Sequence, residues 1–140
     1  MNLVIGADHR GFSHKQDIIM SLSEYEWNDV GCDSPVRCDF PIFVDKVVQS
    51  LRLQKAQRGI LLCGSGIGMS IAANRFAGIY AALAWNSQVA KLSRQHNNAN
   101  ILVIPADFVT SEQAVEMVHI WLSAEFLGGR YQQRIDLIKD

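Results

Sequence analysis

Several things are missing from this chain, and each absence removes a class of protein. No apolar run approaches the roughly 20 residues that span a bilayer. The opening Met1-Asn2-Leu3-Val4-Ile5 lacks the basic start and long apolar segment of a secretory signal. There is no basic run, and the formal net charge is −1, so neither nucleic acid nor an anionic membrane is an expected partner. The three cysteines, Cys32, Cys38 and Cys63, are odd in number and form no C-x-x-C pair. That pattern favours a reducing compartment, with cytoplasm as the expectation, and argues against a disulfide framework or a cysteine zinc site. The four histidines are scattered without ligand spacing, so no metal site is expected. Repeats, low-complexity tracts and interdomain linkers are absent as well.

What the chain does contain is an alternation of short apolar runs and helical periodicities. Leu3-Val4-Ile5, Trp27 to Val30, Ile60-Leu61-Leu62-Cys63, Ile79 to Ala84 and Ile101 to Ile104 read as strands. Helical spacing follows each: Phe12, Ile18, Ile19 and Leu22, with Lys15 among the polar residues between them; then Phe43, Val44, Val47, Val48 and Leu51 after the start Asp39-Phe40-Pro41. Ile67 to Arg75, the segment capped by Asn86, Ser111 to Leu122 and a charged segment from Arg130 to Asp140 complete the set. Strands alternating with helices imply right-handed crossovers and a parallel sheet covered on both faces. The expected fold is α/β, a single three-layer Rossmann-like domain over residues 1–140 with a five-stranded parallel sheet and a C-terminal helix at about 129–138.

The most distinctive stretch is Gly59-Ile60-Leu61-Leu62-Cys63-Gly64-Ser65-Gly66-Ile67-Gly68-Met69. A buried strand running into alternate glycines and then a helix can present backbone amides and a positive dipole end to an anion. Met69 stands where G-x-G-x-x-G needs its last glycine, and no G-x-x-x-x-G-K-[ST] run exists, which removes the common nucleotide loops. Close strand–helix packing without any ligand is the competing reading of the same glycines. Cys63 is equally open: a buried inert thiol, or one whose pKa the helix start lowers for use as a base or nucleophile. His14 and His119 read as surface residues within helices, whereas His9 and His96 fall in polar clusters at element ends. Ligands of open α/β sheets bind beyond the carboxyl ends of the strands. Asp8, His9, Arg10 and the Cys63 loop belong at that edge; His96 and Asn97 precede the fifth strand and belong at the opposite one. A second subunit that brings them together is therefore expected.

Four ordered motifs carry a resemblance: Gly6-Ala7-Asp8-His9-Arg10-Gly11-Phe12, Cys63 through Asn74, Leu92-Ser93-Arg94-Gln95-His96-Asn97, and Gly128-Gly129-Arg130-Tyr131-Gln132-Gln133-Arg134. Together they resemble the ribose-5-phosphate isomerase B family, which includes the galactose-6-phosphate and allose-6-phosphate isomerases. The resemblance implies an aldose–ketose isomerase without metal or organic cofactor, working as a homodimer (in some members a tetramer) with its site at the subunit interface. Cys63 matches the base of the cysteine-bearing branch; the other branch has a glutamate at the position of Met69. Ser65 keeps a hydroxyl donor, and the amides of Gly64, Gly66, Ile67 and Gly68 would stabilise an enediolate oxyanion. His96 matches the residue that opens the sugar ring. Asp8 and Asn97 would bind hydroxyls, and His9, Arg130 and Arg134 the phosphate.

Three departures concern the phosphate end. Asp107 replaces an arginine frequent in the family, Phe40 a tyrosine and Tyr131 a histidine. D-Ribose 5-phosphate and D-ribulose 5-phosphate are the expected pair. The departures also admit a six-carbon phosphosugar, allose 6-phosphate or galactose 6-phosphate, or a catalytically silent phosphosugar-binding paralogue. Arg10 is positioned to supply the cation that Asp107 removes.

Overall fold

The computed structural model describes residues 1–139. Its elements are β1 (Asn2–Ala7), α1 (Phe12–Ser21), β2 (Glu26–Asp29), α2 (Phe40–Arg52), β3 (Arg58–Cys63), α3 (Ile67–Ala73), β4 (Ala81–Leu83), α4 (Ser87–Gln95), β5 (Ile101–Pro105), α5 (Ser111–Ser123) and α6 (Arg130–Ile135). All strand pairings are parallel, and the order across the sheet is β2-β1-β3-β5-β4. The expected α/β three-layer architecture is thus present.

The period-two alternation of the strands decides which side chain meets which layer. Leu3, Ile5 and Ala7, Ile60 and Leu62, and Leu102 and Ile104 face α1, α4 and α5, where Trp121 is fully buried. Val4, Leu61, Cys63, Ile101 and Val103 face the opposite layer of α2 and α3. The apolar runs of β1, β3 and β5 are continuous because both faces are covered. By this alternation the Cys63 side chain falls on the side from which α3 starts.

Local chemistry explains most element boundaries and corrects several expectations. Asn86 Oδ1 accepts the Val89 amide at 2.8 Å, as the sequence suggested. Thr110 and Gln113 form a reciprocal capping box at the start of α5. Asp39 has the extended backbone of an N-cap but makes no side-chain cap bond. β4 is shorter than the run from Ile79 to Ala84 suggests. It lies at the sheet edge and is clipped to α3 by Asn74, whose side chain exchanges hydrogen bonds with the Ala81 backbone at 2.8 Å each. α6 ends at Ile135, short of the expected segment, whose last residue, Asp140, lies outside the described residues.

Four side chains sit differently from their sequence reading. Lys15, read as one of the polar residues between apolar positions, is only 1% exposed. His14 is half-buried, with Nε2 2.8 Å from the Val109 carbonyl, and is not a surface residue. Cys32 and Cys38 bring their sulfurs together across their loop, while Cys63 stands apart from both.

Candidate active site

β1 leads to β2 on one side while β3 lies on its other side, so the chain reverses direction across the sheet between β1 and β3. Crevices form at such switch points beyond the carboxyl ends of the strands. Three loops meet there. The amide of Asp8 donates to the Leu62 carbonyl at 3.2 Å, that of Ala106 to the Cys63 carbonyl at 2.9 Å, and that of Asp107 to the Gly64 carbonyl at 3.0 Å. The sheet ladder therefore continues past the strands and holds Asp8, Cys63 and Asp107 side by side.

Two glycines make this close approach necessary rather than incidental. At Gly64 a Cβ would stand 2.7 Å from both Arg10 Cδ and Asp107 Oδ2. Gly66, the N-cap of α3, has φ 76°, and a Cβ there would lie 2.5 Å from Leu83 Cδ1. Phe40 packs directly over Gly68, where a Cβ would meet its ring at 2.6 Å. The aromatic ring thus covers the first turn of α3 from the α2 side.

Cys63 is 6% exposed. Burial pushes its thiol above the ordinary value, and the nearby Asp8 carboxylate adds to the rise, while the backbone amides of Met69, Gly66 and Ser65 around the sulfur act against it. The expectation that the helix start would lower this pKa is therefore corrected: desolvation outweighs the amides. Met69 is fully buried. Ser65 is exposed, and its Oγ accepts the Ile67 amide at 3.2 Å.

Asp8, 7% exposed, accepts the amides of Arg10 and Gly11 through Oδ1 at 2.9 and 3.3 Å. Its Oδ2 makes no hydrogen bond among the described residues. His9 Nδ1 accepts the Cys38 amide at 3.4 Å. Arg10 Nη1 donates to Asp107 Oδ2 at 2.8 Å across Gly64, with side-chain exposures of 59% and 41%. Residue 107 therefore presents a bridged acid, not a free one.

His96, Asn97, Arg130 and Arg134 are not at this edge. His96 follows α4 and precedes β5, and the chain is strapped back there by the Leu127 amide on the Gln95 carbonyl at 3.0 Å. The His96 ring stacks on Tyr131 with centroids 4.2 Å apart and planes 8° from parallel. The Arg130 and Arg134 guanidiniums lie 5.0 and 5.9 Å from the same Tyr131 ring, and Arg130 Nη2 donates to its hydroxyl at 3.0 Å. A groove of about 400 Å3 is lined by His96, Asn97, Tyr131, Arg134, Ile135 and Ile138. Tyr131 is the residue that sequence reasoning undervalued; an aromatic next to Arg130 and four residues from Ile135 was its signal. With about 3.3 Å per strand residue, the length of β5 alone separates the two edges by about 17 Å.

The candidate groups are thus divided between two edges: a buried thiol among backbone amides at one, and an imidazole with two guanidiniums at the other. Comparison with known proteins finds the same architecture elsewhere. Ribose-5-phosphate isomerase B of Escherichia coli is 41% identical over 138 residues, covering 97% of this chain and 93% of that protein. The crystal structure of a ribose 5-phosphate isomerase from Thermotoga maritima superimposes with a TM-score of 0.93 at 44% identity, covering 96% of this chain and 94% of that one. That of ribose-5-phosphate isomerase B from Mycoplasma genitalium, with bound ribulose 5-phosphate, gives 0.90 at 37%, covering 96% and 91%. Residues 3–138 match the Ribose/Galactose Isomerase family across its fold, so the chain belongs to that family.

Proposed function

We propose that this protein interconverts D-ribose 5-phosphate and D-ribulose 5-phosphate through an enediolate, with Cys63 as the base. In the aldose-to-ketose direction the Cys63 thiolate takes the C2 proton. The electron pair moves into the C1–C2 bond and the carbonyl oxygen becomes anionic. The thiol then returns the proton to C1 while a proton passes from O2 to O1. The same base serves both steps, so no cofactor is consumed. A buried thiol with a raised pKa is the stronger base once ionised, which suits a weakly acidic carbon.

The observation that carries this reading is the free, buried thiol held at the switch point among three backbone amides. Amides in a dry, fixed loop stabilise developing negative charge without reorganising, at about 3 kcal/mol per well-placed donor. Those at Gly64, Gly66, Ile67 and Gly68, with the Ser65 hydroxyl, are assigned to the enediolate. Asp8 Oδ2 and Asn97 are assigned to sugar hydroxyls and His96 to ring opening. His9, Arg130 and Arg134 are assigned to the phosphate.

The two halves stand at opposite edges of one sheet, so a complete site needs a second chain turned to bring its His96 edge to the Cys63 edge. We assign a homodimer on that ground. Exposed Ile67 and Ile71 on one face of α3, with Trp85 after β4 and Phe108 after β5, give the carboxyl edge an apolar rim suited to such an interface. A coupled assay on five- and six-carbon aldose phosphates tests the function. Turnover of ribose 5-phosphate that falls at least about 1000-fold in Cys63→Ala supports it; wild-type turnover in that variant refutes the base. Preference for allose 6-phosphate or galactose 6-phosphate would reassign the substrate, and no turnover of any sugar would mark a silent paralogue.

A further inference from the structure

Lys15 stands one helical turn into α1, away from both halves of the site, yet it is almost wholly buried. Its ammonium donates to Asp29 Oδ1 and Oδ2 at 2.9 and 2.8 Å and to the Cys32 carbonyl at 2.6 Å. It also lies 5.1 Å from the Phe12 ring centroid. All three donors of the ammonium have oxygen partners. A well-packed apolar residue fills such a space at no greater cost in stability. The core alone does not explain a lysine here; its third donor, spent on a loop carbonyl, does.

That loop leads to the site. The Cys32 amide donates to the Ala7 carbonyl at 2.9 Å, and Gly31 packs so closely on β1 that a Cβ would stand 2.6 Å from the Ala7 amide nitrogen. Six residues on, the same loop folds back so that the Cys38 sulfur meets that of Cys32. The Cys38 amide then donates to His9 Nδ1. An imidazole that accepts at Nδ1 is neutral and carries its proton on Nε2.

We propose that Lys15 is a positioning residue: by fixing the Cys32–Cys38 loop it holds His9 as the Nε2–H tautomer, ready to donate to the substrate phosphate. This rests on the assignment of His9 to the phosphate. The ion pair, loop and ring form one relay from the interior of the α1 layer to the anion.

The test combines kinetics with ring spectroscopy. Lys15→Met keeps the aliphatic stem and removes every donor; Asp29→Asn, at a half-exposed position, weakens the same anchor with less risk to folding. For ribose 5-phosphate, Lys15→Met should raise KM about five- to tenfold, the scale of one hydrogen bond, and leave kcat within about twofold. Asp29→Asn should raise KM about two- to threefold. In a His9→Ala background either change should add less than about twofold, because the relay has lost its end point. In wild-type protein at about pH 8, 15N shifts of the His9 ring should report the Nε2–H tautomer, and in both variants a mixture. Unchanged KM in both variants, a full effect persisting without His9, or an unaltered tautomer overturns the proposal. Should wild-type protein not turn over ribose 5-phosphate, the functional assignment fails while the tautomer measurement still decides the relay.

Discussion

Replacing Gly66 by alanine separates backbone strain from loss of the anion cradle, because Gly78 supplies an internal control. Both glycines have left-handed φ values, 76° and 79°. An alanine in that region costs about 1–2 kcal/mol in either place. At Gly78 nothing lies within 4 Å of the added Cβ, so strain is the whole effect. At Gly66 the methyl also meets Leu83 Cδ1 at 2.5 Å, with Val103 Cγ1 at 3.3 Å behind it, which adds about 1 kcal/mol of overpacking. With about 3–4 °C per kcal/mol for a chain of this size, thermal melting should fall about 4–5 °C for Gly78→Ala and about 8 °C for Gly66→Ala. Activity should diverge far more. Shifting the Gly66 amide away from the Cys63 sulfur and the oxyanion position should lower kcat about 10- to 100-fold, while Gly78→Ala stays within about twofold of wild type. Thermal melting and a coupled ribulose 5-phosphate assay on the same preparations give both readings. A Gly66→Ala protein with wild-type kcat would refute the role given to the loop.

Two further outcomes follow from charges at the same edge. Because the thiolate is the basic form and burial raises the thiol above its ordinary value, kcat/KM should climb about tenfold per pH unit through neutral pH and keep rising into the alkaline range; a plateau already reached at neutral pH would contradict the assigned base. Arg10→Gln should raise KM about tenfold at low salt and less at about 1 M salt, since the Arg10–Asp107 pair is exposed. Its stability should change by less than about 1 kcal/mol, and an unchanged KM would remove Arg10 from substrate binding.

The sheet was legible because β1, β3 and β5 are buried on both faces and so read as unbroken apolar runs, while Gly66 and Asn86 mark helix starts by their own chemistry. The separation of His96 from Cys63 was legible too, since a residue just before a parallel strand falls at the amino edge. What the sequence concealed were balances and distant partners. The thiol pKa depends on burial against three amides, and only packing sets that balance. Lys15 reads as a polar residue on a helix until Asp29 and the Cys32 carbonyl, both distant in sequence, are seen around it. The reversed charge at Asp107 reads as a defect in isolation, whereas Arg10, 97 positions away, bridges it. Tyr131 acquires meaning only when α6 is laid against His96.

In the proposed dimer, each active site joins Cys63 of one chain to His96 of another. Cys63→Ala and His96→Ala homodimers should each be nearly inactive. Mixed, unfolded and refolded together, half of the dimers will carry one chain of each kind. Each such hybrid then contains one site with both residues intact, so about a quarter of wild-type activity should return. If both residues came from the same chain, no hybrid would contain an intact site, and the mixture would stay as inactive as its parents.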